Sequence, residues 1–361
     1  YSKNYYDVRA GVEDTNALAL EFNAIAAANS RPLDAPEKIY ITGHSMGGHI
    51  TAAAIEQEAA THAVHKVSYH GAVPMCGVVG DTELFDYFAG AQVAAQALAG
   101  VPDQPFTEWA DVAAQVTGAL FTSFPSAAAP QAPITPTAGV GEDYRSVIEN
   151  LTGGDRPLFE MGYGLGSLAS AYGTFGGDGT VSGILNKNVL DTTRFTYTIA
   201  GDSTASAALN AAAQDITPAA DANRLRTDGL RWIPKANGQF SVPVVSLHTL
   251  GDLFVPFSME QIYQQRAAAN GNDDMLVQRA IRGISHCDFT VAEQVKAFDD
   301  MIKWERDGIV PTGDDVVTPA TVAAPTYGCA FTDDTIGADD SGTTAALRKM
   351  ISDAGAACPA T

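Results

Sequence analysis

The stretch Lys38–Ile50, reading Lys-Ile-Tyr-Ile-Thr-Gly-His-Ser-Met-Gly-Gly-His-Ile, limits what this chain can fold into more than any other. A β-rich run, Ile39 to Thr42, leads into Gly43-His44-Ser45-Met46-Gly47-Gly48, and an Ala-rich helical run, Ile50 to Ala60, follows. This is the strand, sharp turn and helix of a nucleophile elbow with Ser45 at its tip. The turn strains the serine backbone, and Gly43 and Gly47 let neighbouring backbone pass without a Cβ clash. The hydroxyl then projects above the sheet edge at a helix N-terminus. There the Met46 amide points to where an oxyanion would form. A Gly-rich turn with an inert serine is the rival, so the rest of the chain must supply partners.

The sequence before and after the elbow reads as a parallel α/β sheet. Val12 to Asn29 carries Leu18, Phe22, Ile25 and Ala26 at helical spacing. Lys66 to Val73 reads as a second strand. Between Cys76 and Val242 the βαβ rhythm stops. Helical stretches are predicted at Glu83–Leu98, Thr107–Phe121, Asp143–Leu151 and Ala205–Ala213, among Pro/Ala-rich (Ser126–Thr137) and Gly-rich (Gly162–Gly183) segments. The rhythm returns with strands at Pro243–Thr249 and Met275–Ile281 and helices at Ser258–Asn270 and Val291–Arg306, the last presenting Val295, Phe298, Ile302 and Arg306 on one face. The expected organisation is a core of residues 1–80 and 241–308, a helical, loop-rich insertion at 81–240 packed over the sheet, and a surface extension at 309–361. That extension has one helical stretch, Thr344–Ser352, between Cys329 and Cys358, and a disulfide joining these two is expected to hold it.

Composition narrows the function. With 361 residues the chain can bury a large core. Its net charge of −21 leaves no basic cluster to neutralise phosphates, which argues against nucleic acid. No run is long and apolar enough to span a membrane. The four cysteines, Cys76, Cys287, Cys329 and Cys358, lack C-x-x-C spacing, so two disulfides in an oxidising compartment fit better than zinc, with four buried thiols as the alternative. The chain opens at Tyr1, an opening that fits removal of a leader, and a secreted or periplasmic location is expected.

Acyl transfer by a serine needs a base within hydrogen-bond reach and an acid to orient it. In open α/β sheets such groups gather on loops after the carboxyl ends of strands. Asp252 follows the strand ending at Thr249, and His286 follows the strand ending near Ile281. His44 and His49 flank the elbow too closely to turn back to Ser45. His62, His65 and His70 fall in the next helix and strand, and His248 sits inside a buried strand. Among acids, Asp288 is too near His286 in sequence, and Asp202 and Asp228 lie in the insertion.

The order Ser45, Asp252, His286 resembles that of the α/β-hydrolase superfamily. More narrowly, the chain is similar to secreted bacterial serine esterases with a large inserted cap, and it shares features with prolyl-oligopeptidase-like hydrolases. The resemblance rests on the elbow, on Gly251-Asp252-Leu253-Phe254-Val255-Pro256 and on Gly283-Ile284-Ser285-His286-Cys287-Asp288-Phe289. It implies Ser45 as nucleophile, His286 as general base and acid, Asp252 as its orienter and the Met46 amide as an oxyanion donor. It implies no metal and no diffusible cofactor.

In this fold the loops after Val73 and Ile281 can approach each other, which suggests a Cys76–Cys287 disulfide, with a free Cys287 thiol as the alternative. The family also has several strands before its elbow, whereas 44 residues precede Ser45 here. The resemblance therefore implies N-terminal strands, and with them the second oxyanion donor, on a segment or chain outside these residues, with replacement of those strands by the Gly-rich insertion or the tail as the alternative.

The implied reaction is hydrolysis of a carboxylic ester through an acyl-enzyme, with an apolar acyl or aryl ester or an oligomeric polyester as substrate. The insertion's Phe85, Tyr87, Phe88, Trp109, Phe121, Phe124, Phe159, Tyr163, Tyr172 and Phe175 are expected mostly as core, with some lining an apolar cleft. Alternatives are a prolyl-oligopeptidase-like serine peptidase, an acyltransferase using the same triad, and a non-catalytic binding protein of the same fold.

Overall fold

The structure, a computed structural model, describes residues 1–103, 108–165, 167–174, 189–220 and 229–359. Thr107, Phe175, Asp228 and the part of Gly162–Gly183 beyond 174 lie outside the described residues. The chain runs α1 (Val8–Ala28), β1 (Ile41–His44), α2 (Met46–Ala54), α3 (Gln57–His62) and β2 (Ala72–Met75). The next segment holds α4 (Glu83–Leu98), α5 (Trp109–Leu120), a small antiparallel pair β3 (Phe121–Ser123) and β4 (Thr135–Pro136), α6 (Val140–Leu151), α7 (Phe159–Gly164), α8 (Ser167–Ala171) and α9 (Ser203–Ala212). It closes with β5 (Val244–Thr249), α10 (Ser258–Ala269), β6 (Leu276–Ile281), α11 (Val291–Asp307), α12 (Pro319–Val322) and α13 (Gly342–Asp353).

Strands β1, β2, β5 and β6 form one parallel sheet in the order β1-β2-β5-β6. Alternation along the strands divides the core in two. Ala72, Val244 and Leu276, in register across three strands, face the larger cluster built with α1, α2, α4 and α10. Val73, Val245 and Val277 face the other side, where Ala297, Met301 and Trp304 of α11 cover them. All four strands end at the same edge, so whatever follows them is brought together there.

The departures from the sequence reading have physical causes. The strand expected at Lys66–Val73 is instead Ala72–Met75, because its partner β1 pairs Ile41 with Ala72 and runs on to His44. The single helix expected through Ala60 is two helices. Between them Glu56 leaves helical geometry, and its buried carboxylate accepts the amides of Gly238 and Gln239 at 2.8 and 2.9 Å. Burial pushes this carboxyl up to about 7.

In α1 the apolar stripe faces outward: Leu18, Phe22 and Ile25 are exposed, while Val8, Gly11, Val12 and Asn16 are buried. The helix docks by its first half, where Gly11 lets Ile50 of α2 approach so closely that a Cβ would lie 2.3 Å from its terminal methyl. On α11 the buried stripe is Ala297, Met301 and Trp304; Phe298 and Ile302 pack at its margin and Val295 is exposed. Phe85, Tyr87, Phe88, Phe121, Phe159 and Tyr163 are buried, and Trp109, Phe124 and Tyr172 are partly so.

Of Gly43 and Gly47, only Gly43 is sterically required. A Cβ there would stand 2.5 Å from the Gly47 carbonyl oxygen, whereas one on Gly47 would meet nothing within 4 Å. Gly43→Ala is therefore expected to cost about 2–3 kcal/mol through overpacking. Gly47→Ala is expected to be neutral or to stabilise by up to about 1 kcal/mol, as Ala replaces Gly in a helix. Urea unfolding of the two variants checks the contrast; equal losses would refute it.

Candidate active site

Ser45 ends β1 and opens α2 with φ +56° and ψ −120°. A non-glycine residue at such a φ costs about 1–3 kcal/mol and persists only where its surroundings hold it. Two hydrogen bonds do so: the Ser45 amide donates to the Met75 carbonyl at 3.1 Å, and the His49 amide donates to the Ser45 carbonyl at 3.1 Å. As the first residue of α2, Met46 has an amide with no acceptor inside the helix, at the positive end of the helix dipole.

The structure brings Ser45, His286 and Asp252 together. His286 Nε2 lies 2.8 Å from Ser45 Oγ, and Nδ1 lies 2.6 Å from Asp252 Oδ2. With Nδ1–H donating to the carboxylate, Nε2 is left to accept from the serine hydroxyl. Asp252 is fully buried, and its other oxygen accepts the amides of Phe254 and Val255 at 2.9 and 3.0 Å. Its acceptor sites are thereby divided, one oxygen for the loop and one for the imidazole. His286 is half-buried, with Phe254 edge-on to its ring and Phe88 stacked on Phe254. Such a relay can move a proton from a hydroxyl to an imidazole and bear the resulting charge.

Both cysteine pairs form, Cys76 with Cys287 and Cys329 with Cys358. Cys287 directly follows His286, so the first disulfide ties the histidine loop to the end of β2. Cys76, His286 and Cys287 are close enough to suggest a metal cluster. With the two sulfurs bonded to each other, no thiolate is left to ligate.

The other histidines are otherwise engaged. His49 is buried between the Tyr6 hydroxyl (3.0 Å) and the Pro234 carbonyl (2.8 Å), and burial holds its pKa down. His44 turns outward to Gln294 at 2.9 Å. His62 and His65 are exposed, and His70 accepts from the Ile39 amide. His248 is buried in β5, donating to the Val255 carbonyl at 2.7 Å, with Glu260 3.4 Å from its other nitrogen. Burial alone would lower its pKa, but the bond and charge of Glu260, helped by Asp252, raise it. Asp288 supports the histidine loop through the Ile284 amide, and Asp202 caps α9.

Three residues from the segment between β2 and β5, none of them legible from the sequence, hold the Asp252 loop. Tyr87 donates to the Leu253 carbonyl at 2.8 Å, Ser167 Oγ accepts the Leu253 amide at 2.7 Å, and Arg156 Nε donates to the Leu250 carbonyl at 2.8 Å. Desolvation lowers the Arg156 pKa to about 10. The only hint was a lone arginine in Gly153-Gly154-Asp155-Arg156-Pro157, and its target is a backbone atom 94 residues away.

No family model matches the chain. Over 66 residues it is 36% identical to the o-phthalyl amidase of Xanthobacter agilis, a stretch that is 18% of this chain and only 15% of that protein. Its structure is similar to feruloyl esterase B from Aspergillus oryzae, with a TM-score of 0.40 and 14% identity over 81% of this chain and 64% of that one, which is under two thirds of that chain's length. Neither similarity is broad or close enough to assign a family.

The disulfide at the histidine loop closes a loop of 211 residues. Cys76→Ser together with Cys287→Ser is expected to cost about 3–5 kcal/mol of stability, chiefly by freeing the unfolded chain. Chemical unfolding of the double variant against the parent measures it; a loss below about 1 kcal/mol would contradict this reading.

Proposed function

We propose that this chain is a serine hydrolase that cleaves carboxylic esters through an acyl-enzyme. The supporting observation is the position of His286, hydrogen-bonded at once to Ser45 at 2.8 Å and to buried Asp252 at 2.6 Å. On this reading Ser45 Oγ attacks the acyl carbon while its proton passes to His286 Nε2. Asp252 orients the ring and offsets the imidazolium charge. The Met46 amide donates to the oxyanion. His286 then gives the proton to the departing alkoxide, and water attacks the acyl-enzyme by the same route in reverse.

In this proposal residues 1–80 and 241–308 are the catalytic core, 81–240 a cap and 309–361 a surface extension. Tyr87, Arg156 and Ser167 support the cap reading, since they reach the Asp252 loop from that segment. Phe88 and Phe254 beside His286 favour an apolar acyl or aryl ester, or an oligomeric polyester. Two disulfides suit an oxidising, extracytoplasmic setting. No helix among the described residues is long and apolar enough to cross a membrane. Further strands of the fold, where present, would pair along the outer edge of β1 beside the exposed stripe of α1.

A second reading, amide cleavage by the same groups, draws on the similarity to the o-phthalyl amidase. p-Nitrophenyl esters of increasing acyl length, assayed beside a matched p-nitroanilide, separate the two. Esters are expected to turn over faster, and a faster anilide would favour the amidase reading.

Ser45→Ala or His286→Ala is expected to lower kcat by roughly 10⁴-fold or more, and Asp252→Asn by about 10⁴-fold. His248→Ala is expected to fall far less. Undiminished hydrolysis by Ser45→Ala would sink the proposal.

A further inference from the structure

We propose that Arg348, on α13 of the C-terminal stretch, is a positioning residue that holds the His286 loop in its working geometry. The inference rests on the reading of His286 as the general base. Arg348 is buried, at 5% exposure, and its guanidinium reaches both ends of that loop. Nη1 donates to the Arg282 carbonyl at 2.5 Å, four residues before His286, and Nη2 donates to the Asp288 carbonyl at 2.9 Å, two residues after it. Nη2 also meets Glu293 Oε2 at 3.0 Å. Glu293 accepts the Thr290 amide in the capping box that starts α11 and the Asp333 amide from the extension. One side chain thus joins the loop, the helix that follows it and the extension.

The contact is reciprocal. Arg282 sends its own guanidinium into the extension, donating to the carbonyls of Pro325 and Tyr327, both at 3.0 Å, and of Ala356 at 2.6 Å. The extension is anchored independently of both arginines. Cys329–Cys358 closes it, and Ile351 of α13 packs in one cluster with Ile284, Leu250 and Tyr327.

Burying a guanidinium is costly unless its donors are used. Apolar contacts such as those of Ile351 suffice to dock a surface helix. What only a planar fork of donors supplies is a fixed spacing between two carbonyls. Those two carbonyls bracket the residue whose ring must stay aligned with both Ser45 and Asp252. A displacement of about 1 Å in such a group can cost on the order of 10²-fold in rate.

The test compares Arg348→Met, Arg348→Lys and Ile351→Ala at a temperature where circular dichroism shows each variant folded. It measures kcat and KM on a p-nitrophenyl ester, and the downfield proton NMR signal of the His286 Nδ1–H. Arg348→Met is expected to lower kcat by about 10–100-fold with KM within about threefold, and to broaden or lose the signal. Arg348→Lys is expected to recover part of the loss, because one ammonium cannot span both carbonyls. Ile351→Ala is expected to lower the melting temperature yet keep kcat within about twofold.

A folded Arg348→Met that keeps both kcat and the signal overturns the proposal. So does an Ile351→Ala that loses kcat as steeply as Arg348→Met, since the effect would then be docking alone. If Arg348→Met does not fold, Arg348→Lys decides: undiminished kcat and signal overturn the proposal, and a loss of about tenfold in kcat supports it. If the parent chain shows no Ser45-dependent hydrolysis, the hydrolase reading fails, and the NMR signal alone then reports whether Arg348 holds His286.

Discussion

Two consecutive residues at the end of β2, Met75 and Cys76, hold the rest of the site in place. The Met75 carbonyl accepts the Ser45 amide, and the Cys76 sulfur is bonded to Cys287, next to His286. The serine and the histidine are 241 residues apart in the chain, yet each is fastened to the same short piece of backbone. The strain at Ser45, with φ +56°, is sustainable because the parallel ladder on one side and α2 on the other leave it no alternative.

Around that anchor, buried arginines do for the loops what the sheet does for the strands. Arg156 reaches the Leu250 carbonyl before Asp252, and Arg348 spans the Arg282 and Asp288 carbonyls around His286. A loop cannot satisfy all its own backbone groups, and a buried carbonyl left unpaired is expensive. An arginine brought from a distant segment removes that cost and limits the loop's motion together. The segment between β2 and β5 and the segment after α11, peripheral on the sequence reading, thus both reach the loops that carry Asp252 and His286.

Much of this was legible beforehand. The β5 and β6 runs were plain because Val244-Val245 with Leu247, and Leu276-Val277 with Ala280-Ile281, make short β-rich segments bounded by turn residues. Helix faces were less legible. The apolar stripe Leu18, Phe22, Ile25 has the periodicity of a buried face and is nevertheless exposed, because α1 docks through Gly11 against Ile50. Periodicity reports that a face is apolar, not what stands opposite it. The polar residues of the sheet core were unreadable for a related reason. Ser246 and Gln278 are tolerable there because Glu260, from α10, accepts from both.

The sequence by itself determined the features whose cause lies within a few residues. These are the strand–turn–helix around Ser45, the loops carrying Asp252 and His286, their order, and the cysteine beside the histidine. Only the tertiary structure decided which helix faces are buried, that Gly47 of the elbow has room for a side chain where Gly43 has none, and which arginines brace the loops. The physical reason is that strain, capping and periodicity are written in side chains close together along the chain. Arg156 and Arg348 brace the loops through backbone carbonyls 60 or more residues away, those of Leu250, Arg282 and Asp288. Every residue has a carbonyl, so nothing in the sequence marks the few that a distant arginine will find.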